Sequence, residues 1–394
     1  MIAWIGAAGA AASLLLLAVS VAVLEARRRR ATPAPERRFL PRISVVKPLC
    51  GLDAGLEENL ESFFRQDYPD FEVVFSFADG ADPAFEAARR VADRHPAVRA
   101  VFAVEPREPG RNAKVNRLEA GLRRARGSVF VLSDGDVRVA PDFLRRAIAP
   151  LADPGVGLVS HLFRATNAGS VPARLEALYL DGVLRPATAT LADLLRTPCV
   201  VGKSIVLSRA ALHAIGGLAP LRNHLAEDFL LGRLVARAGY RVVLAREEIA
   251  TVSGARRAAS VWARHRRWAI LRKRLGGAGY AAEALASPAL FAGAAILFAD
   301  RGSAAPAVAA ALWALRLAVE TVALRRAPEP AGWTAPLLLP LRDLAVSALF
   351  FAGLFGRRTS WRGRTLRVGR ETLLLDDAAS GAPALGPLRP RPAA

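Results

Sequence analysis

Cysteine is nearly absent. Cys50 and Cys199 are the only two in 394 residues, so no disulfide framework can brace the fold, and neither has the spacing of a metal-ligand set. That scarcity fits a reducing compartment. Acid is scarce relative to base: 35 Asp and Glu face 55 Lys and Arg, a formal charge of +20. No nucleic-acid-binding motif accompanies the excess. The basic residues crowd beside apolar segments instead, which favours anionic lipid over nucleic acid as the partner. Charge of either sign is missing from residues 2–24. As a helix that stretch would be ~35 Å long, enough to span a bilayer. Glu25 and then Arg27, Arg28, Arg29 and Arg30 follow at once. A secretory signal carries its positive charge before the apolar run, so this pattern predicts an uncleaved anchor with the arginines on the cytoplasmic side. A Ser-His-Asp or Cys-His nucleophile set does not suggest itself either.

What the chain does have is apolar surface, 53 % hydrophobic residues with positive mean hydropathy, and one region of alternating elements. Strands are expected at residues 43–49, 71–78, 98–104, 129–132, 156–163 and 199–208. Helices are expected at 56–65, 83–95, 112–126 with Asn112 as cap, 210–215, within 224–240, and 260–274. Strands alternating with helices predict an open, mostly parallel sheet covered on both faces. Ligands of such sheets sit at the carboxyl ends of the strands. Lys47–Cys50, Asp79–Asp82 and Asp134–Asp136 all fall there. The aspartate strand, residues 129–139, organises the rest. Its apolar run ends in Asp134 and Asp136, separated by Gly135, which lets the backbone turn and approach a ligand closely. Two carboxylates there can hold a hard divalent cation, and that cation a diphosphate. The competing reading is a polar turn after a strand.

Two further stretches carry chemistry. Glu227 and Asp228 open a helix with a buried face of Phe229, Leu230, Leu234 and Val235. They either answer the helix dipole, or one of them is a general base at the mouth of the site. Arg264, Arg267 and Trp268 share one helix face at i, i+3 and i+4. An arginine fork fits a diphosphate, and the tryptophan can wall a pocket; the other bases of residues 256–274 suit anionic lipid. Residues 173–195 read as a weakly amphipathic, packed or headgroup-level helical region. The remainder is apolar with breaks: 284–299, 303–324 with Arg316 and Glu320 placed to pair, and 334–355 split by Arg342 and Asp343. The arginines at 357–370 put the tail in the cytoplasm, so an even number of crossings must separate it from the catalytic region. We expect the split stretch not to cross. Residues 32–41 read as a linker and 378–394 as disordered.

Six stretches in this order, SVVKPLCG at 44–51, ADP at 81–83, NAKVN at 112–116, SDGDVRV at 133–139, AED at 226–228 and RHRRW at 264–268, resemble the ceramide glucosyltransferase family and its bacterial relatives. Those are inverting, metal-dependent GT-A glycosyltransferases. The resemblance implies an α/β GT-A nucleotide-sugar-binding domain with a mostly parallel central sheet, plus N-terminal and C-terminal transmembrane or interfacial helices. It divides the chain into an anchor (1–26), a linker (27–41), the GT-A domain (42–280), a membrane region (281–356) and a basic, then disordered tail (357–394). It assigns Asp82, with Asp79 as runner-up, and Lys114 to the nucleotide. Asp134 and Asp136 would hold Mg2+ or Mn2+, Asp228 would be the base, and Arg264, Arg267 and Trp268 would close over the diphosphate. The implied reaction moves glucose from a UDP-sugar to ceramide at the inner face of a bacterial cytoplasmic membrane. The alternatives are N-acetylglucosamine transfer to a hopanoid polyol, a processive polysaccharide synthase, or a non-catalytic membrane scaffold.

Overall fold

A computed structural model describes residues 1–30, 39–326, 332, 334–361 and 364–376. In chain order the elements are α1 (Ile2–Arg29), β1 (Ile43–Pro48), α2 (Leu56–Phe64), β2 (Phe71–Phe77), α3 (Pro83–Arg94), β3 (Arg99–Val104), α4 (Ala113–Arg124), β4 (Val129–Ser133), β5 (Val137–Arg138) and α5 (Phe143–Ile148). Then come β6 (Val156–Ala168), α6 (Val171–Tyr179), α7 (Arg185–Asp193), β7 (Ser204–Ser208), α8 (Arg209–Ala214), α9 (Glu227–Arg237) and β8 (Arg241–Gly254). The chain continues with α10 (Ala258–Gly276), α11 (Pro288–Leu297), α12 (Ala305–Arg325), α13 (Ala335–Phe355), β9 (Arg358–Trp361), β10 (Arg364–Val368) and β11 (Leu374–Asp376). Contacts group these elements into two units. One comprises residues 30–167 and 196–254; the other comprises 1–29, 168–195 and 255–378.

The first unit is built on an eight-stranded sheet in the order β3-β2-β1-β4-β7-β6-β8-β5. β1 pairs in parallel with β2 and with β4, so that Ile43 stands between Phe71 and Val129. β3 adds in parallel to β2, and β7 joins β4 antiparallel. Successive side chains of a strand point to opposite faces, and both faces here are apolar. Val45, Val73, Phe75 and Val131 pack with Leu60, Phe63 and Ala84 of α2 and α3. Val46, Val74, Phe130 and Leu132 pack with Val115 and Leu118 of α4 and with Leu230 and Leu234 of α9. The expected α/β fold and the order of its first elements therefore hold. Asn112 caps α4 as expected, its side chain accepting from the backbone N–H of Lys114 and Val115.

One expectation fails in this unit, and one strand lies where none was expected. The strand expected over residues 199–208 begins only at Ser204; the preceding residues wrap α9, with Val200 against Gly232 and Gly202 against Asp228. And β8, fourteen residues long, was not foreseen, because Arg246, Glu247 and Glu248 interrupt its apolar pattern.

The second unit is mainly helical. Among the described residues three of its helices are long and apolar enough to cross a membrane: α1, α12 and α13. Small residues let them pack closely: Ala7 and Ala10 of α1 meet Ala292 and Ala295 of α11 and Ala309 of α12. The expectation that residues 334–355 are split is corrected here. They form one helix, α13, while the charge-free stretch at 284–299 yields only the ten residues of α11, bent by 80° from the segment before it. The charges do not break α13 because they are paired. Arg342 donates to Glu320 Oε1 and Oε2 at 2.6 and 2.7 Å and to Asp343 Oδ1 at 2.9 Å, and Trp313 Nε1 donates to Asp343 Oδ2 at 2.7 Å. Arg316 lies 3.9 Å from Glu320 and 3.8 Å from Asp343, so two arginines face two acids, and a neutralised cluster of this kind is compatible with a buried helix pair. Part of the basic tail is also folded: β9, β10 and β11 form an antiparallel sheet with Leu366, Val368 and Leu374 buried. Most of the proposed linker and all of residues 378–394 lie outside the described residues.

Candidate active site

The turn after β4 is clamped on several sides. Asp134 N–H donates to the Lys203 carbonyl, Val252 N–H to the Asp136 carbonyl, and Asn59 Nδ2 to the Gly135 carbonyl. A Cβ on Gly135 would lie 2.7 Å from Asp53 Oδ2 and 3.2 Å from Leu49, so the turn needs a glycine for close approach rather than for its dihedral angles. Beneath it lies Lys47 at the end of β1, fully buried. Its Nζ donates to the Asp134 carbonyl at 2.8 Å and sits 3.8 Å from the centre of the Phe63 ring. Burial lowers its pKa to about 7, against the pull of Asp134, Asp136 and Asp53.

Lys114, in the first turn of α4, joins the acids of two elements. Its ammonium is 2.8 Å from Asp134 Oδ1 and 3.4 Å from Glu227 Oε1, and it donates to the Gly202 carbonyl at 2.9 Å. Burial works against that charge, but Asp134, Glu227 and Asp228 together outweigh it and hold the lysine above its ordinary value. Asn112 Nδ2 ties the same corner by donating to the His224 carbonyl and to Glu227 Oε2. Asp228, at the start of α9, accepts from Phe229 N–H at 2.8 Å and from the Gly202 backbone. Burial raises the pKa of both acids of this pair, that of Glu227 to about 6.

The structure thus brings Asp134, Lys114 and Asp228 together with Glu227. Asp136 is joined to them through Lys203, whose Nζ lies 2.5 and 2.7 Å from the two Asp136 oxygens and 3.7 Å from Asp134 Oδ2. Sequence reasoning missed Lys203; the only signal was a lone charge within the apolar run 199–208. Asp82 caps α3, accepting from Ala84 N–H and from Gly51 N–H at 2.9 and 2.8 Å, so it fixes the loop that follows β1. Arg264, Arg267 and Trp268 lie on α10, in the other unit. There Arg264 Nη1 donates to buried Glu176 at 3.1 Å, beside His265 at 3.0 Å, and the Trp268 ring stands edge-on to His265. Arg264 is therefore already engaged by a carboxylate of its own unit.

The profile of glycosyl transferase family 21 matches residues 7–374. The chain belongs to this family. It is 28 % identical over 234 residues to ceramide glucosyltransferase 1 of Caenorhabditis elegans, covering 59 % of this chain and 50 % of that protein. It is 27 % identical over 238 residues to ceramide glucosyltransferase 3 of the same organism, covering 60 % and 52 %. The chain spans about half the length of these curated relatives. Among solved structures it is similar to a mannosyltransferase from Pyrobaculum calidifontis in complex with GDP-Man and Mn2+, at a TM-score of 0.54 and 22 % identity, over 90 % of this chain and 99 % of that one. That likeness supports the GT-A-type fold.

Family membership raises the question of a divalent metal. The carboxylates of Asp134 and Asp136 converge on a single cation, the Lys203 ammonium, and their donors are hard oxygens. Such a pair fits Mg2+ or Mn2+. Among the described residues no group of three or more His, Cys, Asp or Glu is arranged around a metal. Two carboxylates are what these residues would offer a divalent ion, a share that phosphate oxygens and water would have to complete.

Proposed function

We propose that this family 21 chain is an inverting glycosyltransferase that moves glucose from UDP-glucose to the hydroxyl of ceramide. The observation that carries the reading is the cluster of Asp134, Lys114, Glu227 and Asp228 at the carboxyl edge of the sheet. Asp228 is the general base. Burial makes its carboxylate more basic than an exposed aspartate, and two backbone N–H groups fix its direction, so it is suited to take the acceptor's proton as the hydroxyl attacks the anomeric carbon. Attack from the face opposite the leaving group inverts that centre, and no covalent enzyme intermediate is needed. Lys114 keeps Asp134 and Glu227 in place and lends positive charge to the diphosphate side of the site. Asp134 and Asp136 would hold the divalent cation, which when bound offsets charge on the leaving diphosphate. Asp82 serves the uridine end; Arg264, Arg267 and Trp268 enter as diphosphate ligands on their motif alone.

The domain scheme follows as part of the same proposal: an anchor at 1–26, a linker at 27–41, a GT-A domain at 42–280, a membrane region at 281–356 and a tail beyond. Three helices long and apolar enough to cross a bilayer, with arginines at the end of α1, support a membrane enzyme of the bacterial cytoplasmic membrane whose catalytic region faces the cytoplasm. The test is direct. Purified full-length protein is given radiolabelled UDP-glucose or UDP-N-acetylglucosamine, Mn2+ or Mg2+, and ceramide or a hopanoid polyol in detergent micelles. Glucosylceramide should form, and Asp228→Asn should abolish it. Transfer only from UDP-N-acetylglucosamine to the hopanoid would replace the substrates, and no transfer with any pair would overturn the reading.

A further inference from the structure

The cation position between Asp134 and Asp136 is held by a residue of the chain itself. Lys203 follows Gly202 directly and precedes β7. Its backbone carbonyl accepts from Asp134 N–H at 3.1 Å, which fixes its Cα beside the turn. Its ammonium reaches back over the turn to both oxygens of Asp136 and towards Asp134 Oδ2, at only 14 % side-chain exposure. Asp134 Oδ1 faces the other way, onto Lys114. Lys114 and Lys203 thus share the carboxylate of Asp134, and Lys203 also holds that of Asp136.

We propose that Lys203 is an internal competitor for the divalent cation, occupying the Asp134/Asp136 pair until a metal with its diphosphate displaces it, and then serving as a diphosphate ligand. This rests on the reading that those two aspartates bind the metal. An ammonium seated on both oxygens of Asp136 and directed at Asp134 occupies the space between the two carboxylates, and its charge repels a divalent ion entering there. The lysine must leave, and its four-carbon stem lets the head swing while the backbone stays pinned. The displaced charge then needs an anion, and a diphosphate arriving with the metal supplies one. The site therefore binds the metal weakly by itself and more strongly together with the nucleotide.

The test reads metal binding, not turnover. Mn2+ is titrated into the full-length protein in detergent and followed by the loss of the free-ion electron paramagnetic resonance signal. The unaltered chain is compared with Lys203→Met, Lys203→Arg and Asp136→Asn. Lys203→Met should tighten Mn2+ binding by about tenfold or more, the scale of one charge-assisted hydrogen bond lost to competition. Lys203→Arg should leave it weak, and Asp136→Asn should weaken it further. A lysine that merely braced the turn would give the opposite sign, because its removal would loosen the carboxylates. Unchanged or weaker Mn2+ binding by Lys203→Met overturns the proposal, as does the absence of measurable binding in that variant. Sugar transfer by the unaltered chain is assayed alongside. Its absence would count against the proposed function, whereas an unmoved Mn2+ affinity counts against the role of Lys203.

Discussion

Gly202 is where the position of the proposed base can be moved by one methyl group. A Cβ built on Gly202 lies 2.7 Å from Asp228 Oδ2, 3.2 Å from its Cγ and 3.3 Å from its Cβ, whereas ordinary contact begins at 3.4 Å. In Gly202→Ala the carboxylate must therefore retreat by roughly 0.7 Å. The retreat cannot be a simple rotation, since Oδ1 is held by Phe229 N–H and the whole side chain faces the new methyl. Gly202 is not among the glycines with positive φ, so alanine fits the backbone and the protein should fold. A catalytic group displaced by a good fraction of an ångström loses about 10–100-fold in rate, or about 1.4–2.7 kcal/mol of transition-state stabilisation. The assay is kcat for glucosyl transfer on full-length protein, with thermal unfolding in detergent beside it. We expect kcat to fall by that factor while KM for the donor and the melting temperature stay close to those of the unaltered chain. A kcat within about twofold of the original, in a folded variant, would refute the claim that the placement of Asp228 sets the rate.

The remaining predictions concern protons and buried charge. As the proposed base, Asp228 would have to be ionised to act, and burial raises its pKa, so the acid limb of kcat against pH should lie above the exposed-aspartate value of ~3.9; a limb at or below that value would refute the assignment. Glu227 sits at about 6 in the folded chain against an ordinary 4.5. Between those values the folded state holds more protons than the unfolded one, so unfolding free energy should fall as pH rises through the window. Glu227→Gln should flatten that slope in denaturant titrations at several pH values. In the helical unit, Arg342→Met leaves Glu320 and Asp343 with only the more distant Arg316, at 3.9 and 3.8 Å, as a shared cation. It should cost about 3–5 kcal/mol, read as a lower unfolding temperature in detergent, and Arg342→Met with Glu320→Met should recover much of the loss.

How far the sequence could be read depended on whether the deciding interaction was local. The run from β1 to β4 was legible almost to its boundaries, because each element carries its own signal: apolar strands bounded by turns, Asp82 before Pro83, Asn112 two residues before Lys114. That Asp134, Lys114 and Asp228 meet could be expected from motif resemblance, since each lies at a strand end or a helix start beside the central sheet. What could not be read was any feature whose meaning lies in a distant partner. Arg342 and Asp343 look like a break in an apolar stretch until Glu320 is set against them. Arg264 looks like a free phosphate ligand until Glu176, eighty-eight residues earlier in the chain, takes one of its nitrogens. Lys203 looks like a solvated residue beside a glycine until Asp136, sixty-seven residues away, is seen to receive both contacts. In each case a charge that disrupts a local pattern is neutralised by a charge that the pattern does not contain. The same logic bears on the chemistry. If Lys203 and Lys114 already neutralise the aspartates of the site, the site need not wait for a metal to be stable. On the proposal made for Lys203, a divalent ion would have to displace that lysine with the help of the diphosphate it carries, so occupancy of the site would follow the arrival of the donor more than the free concentration of metal.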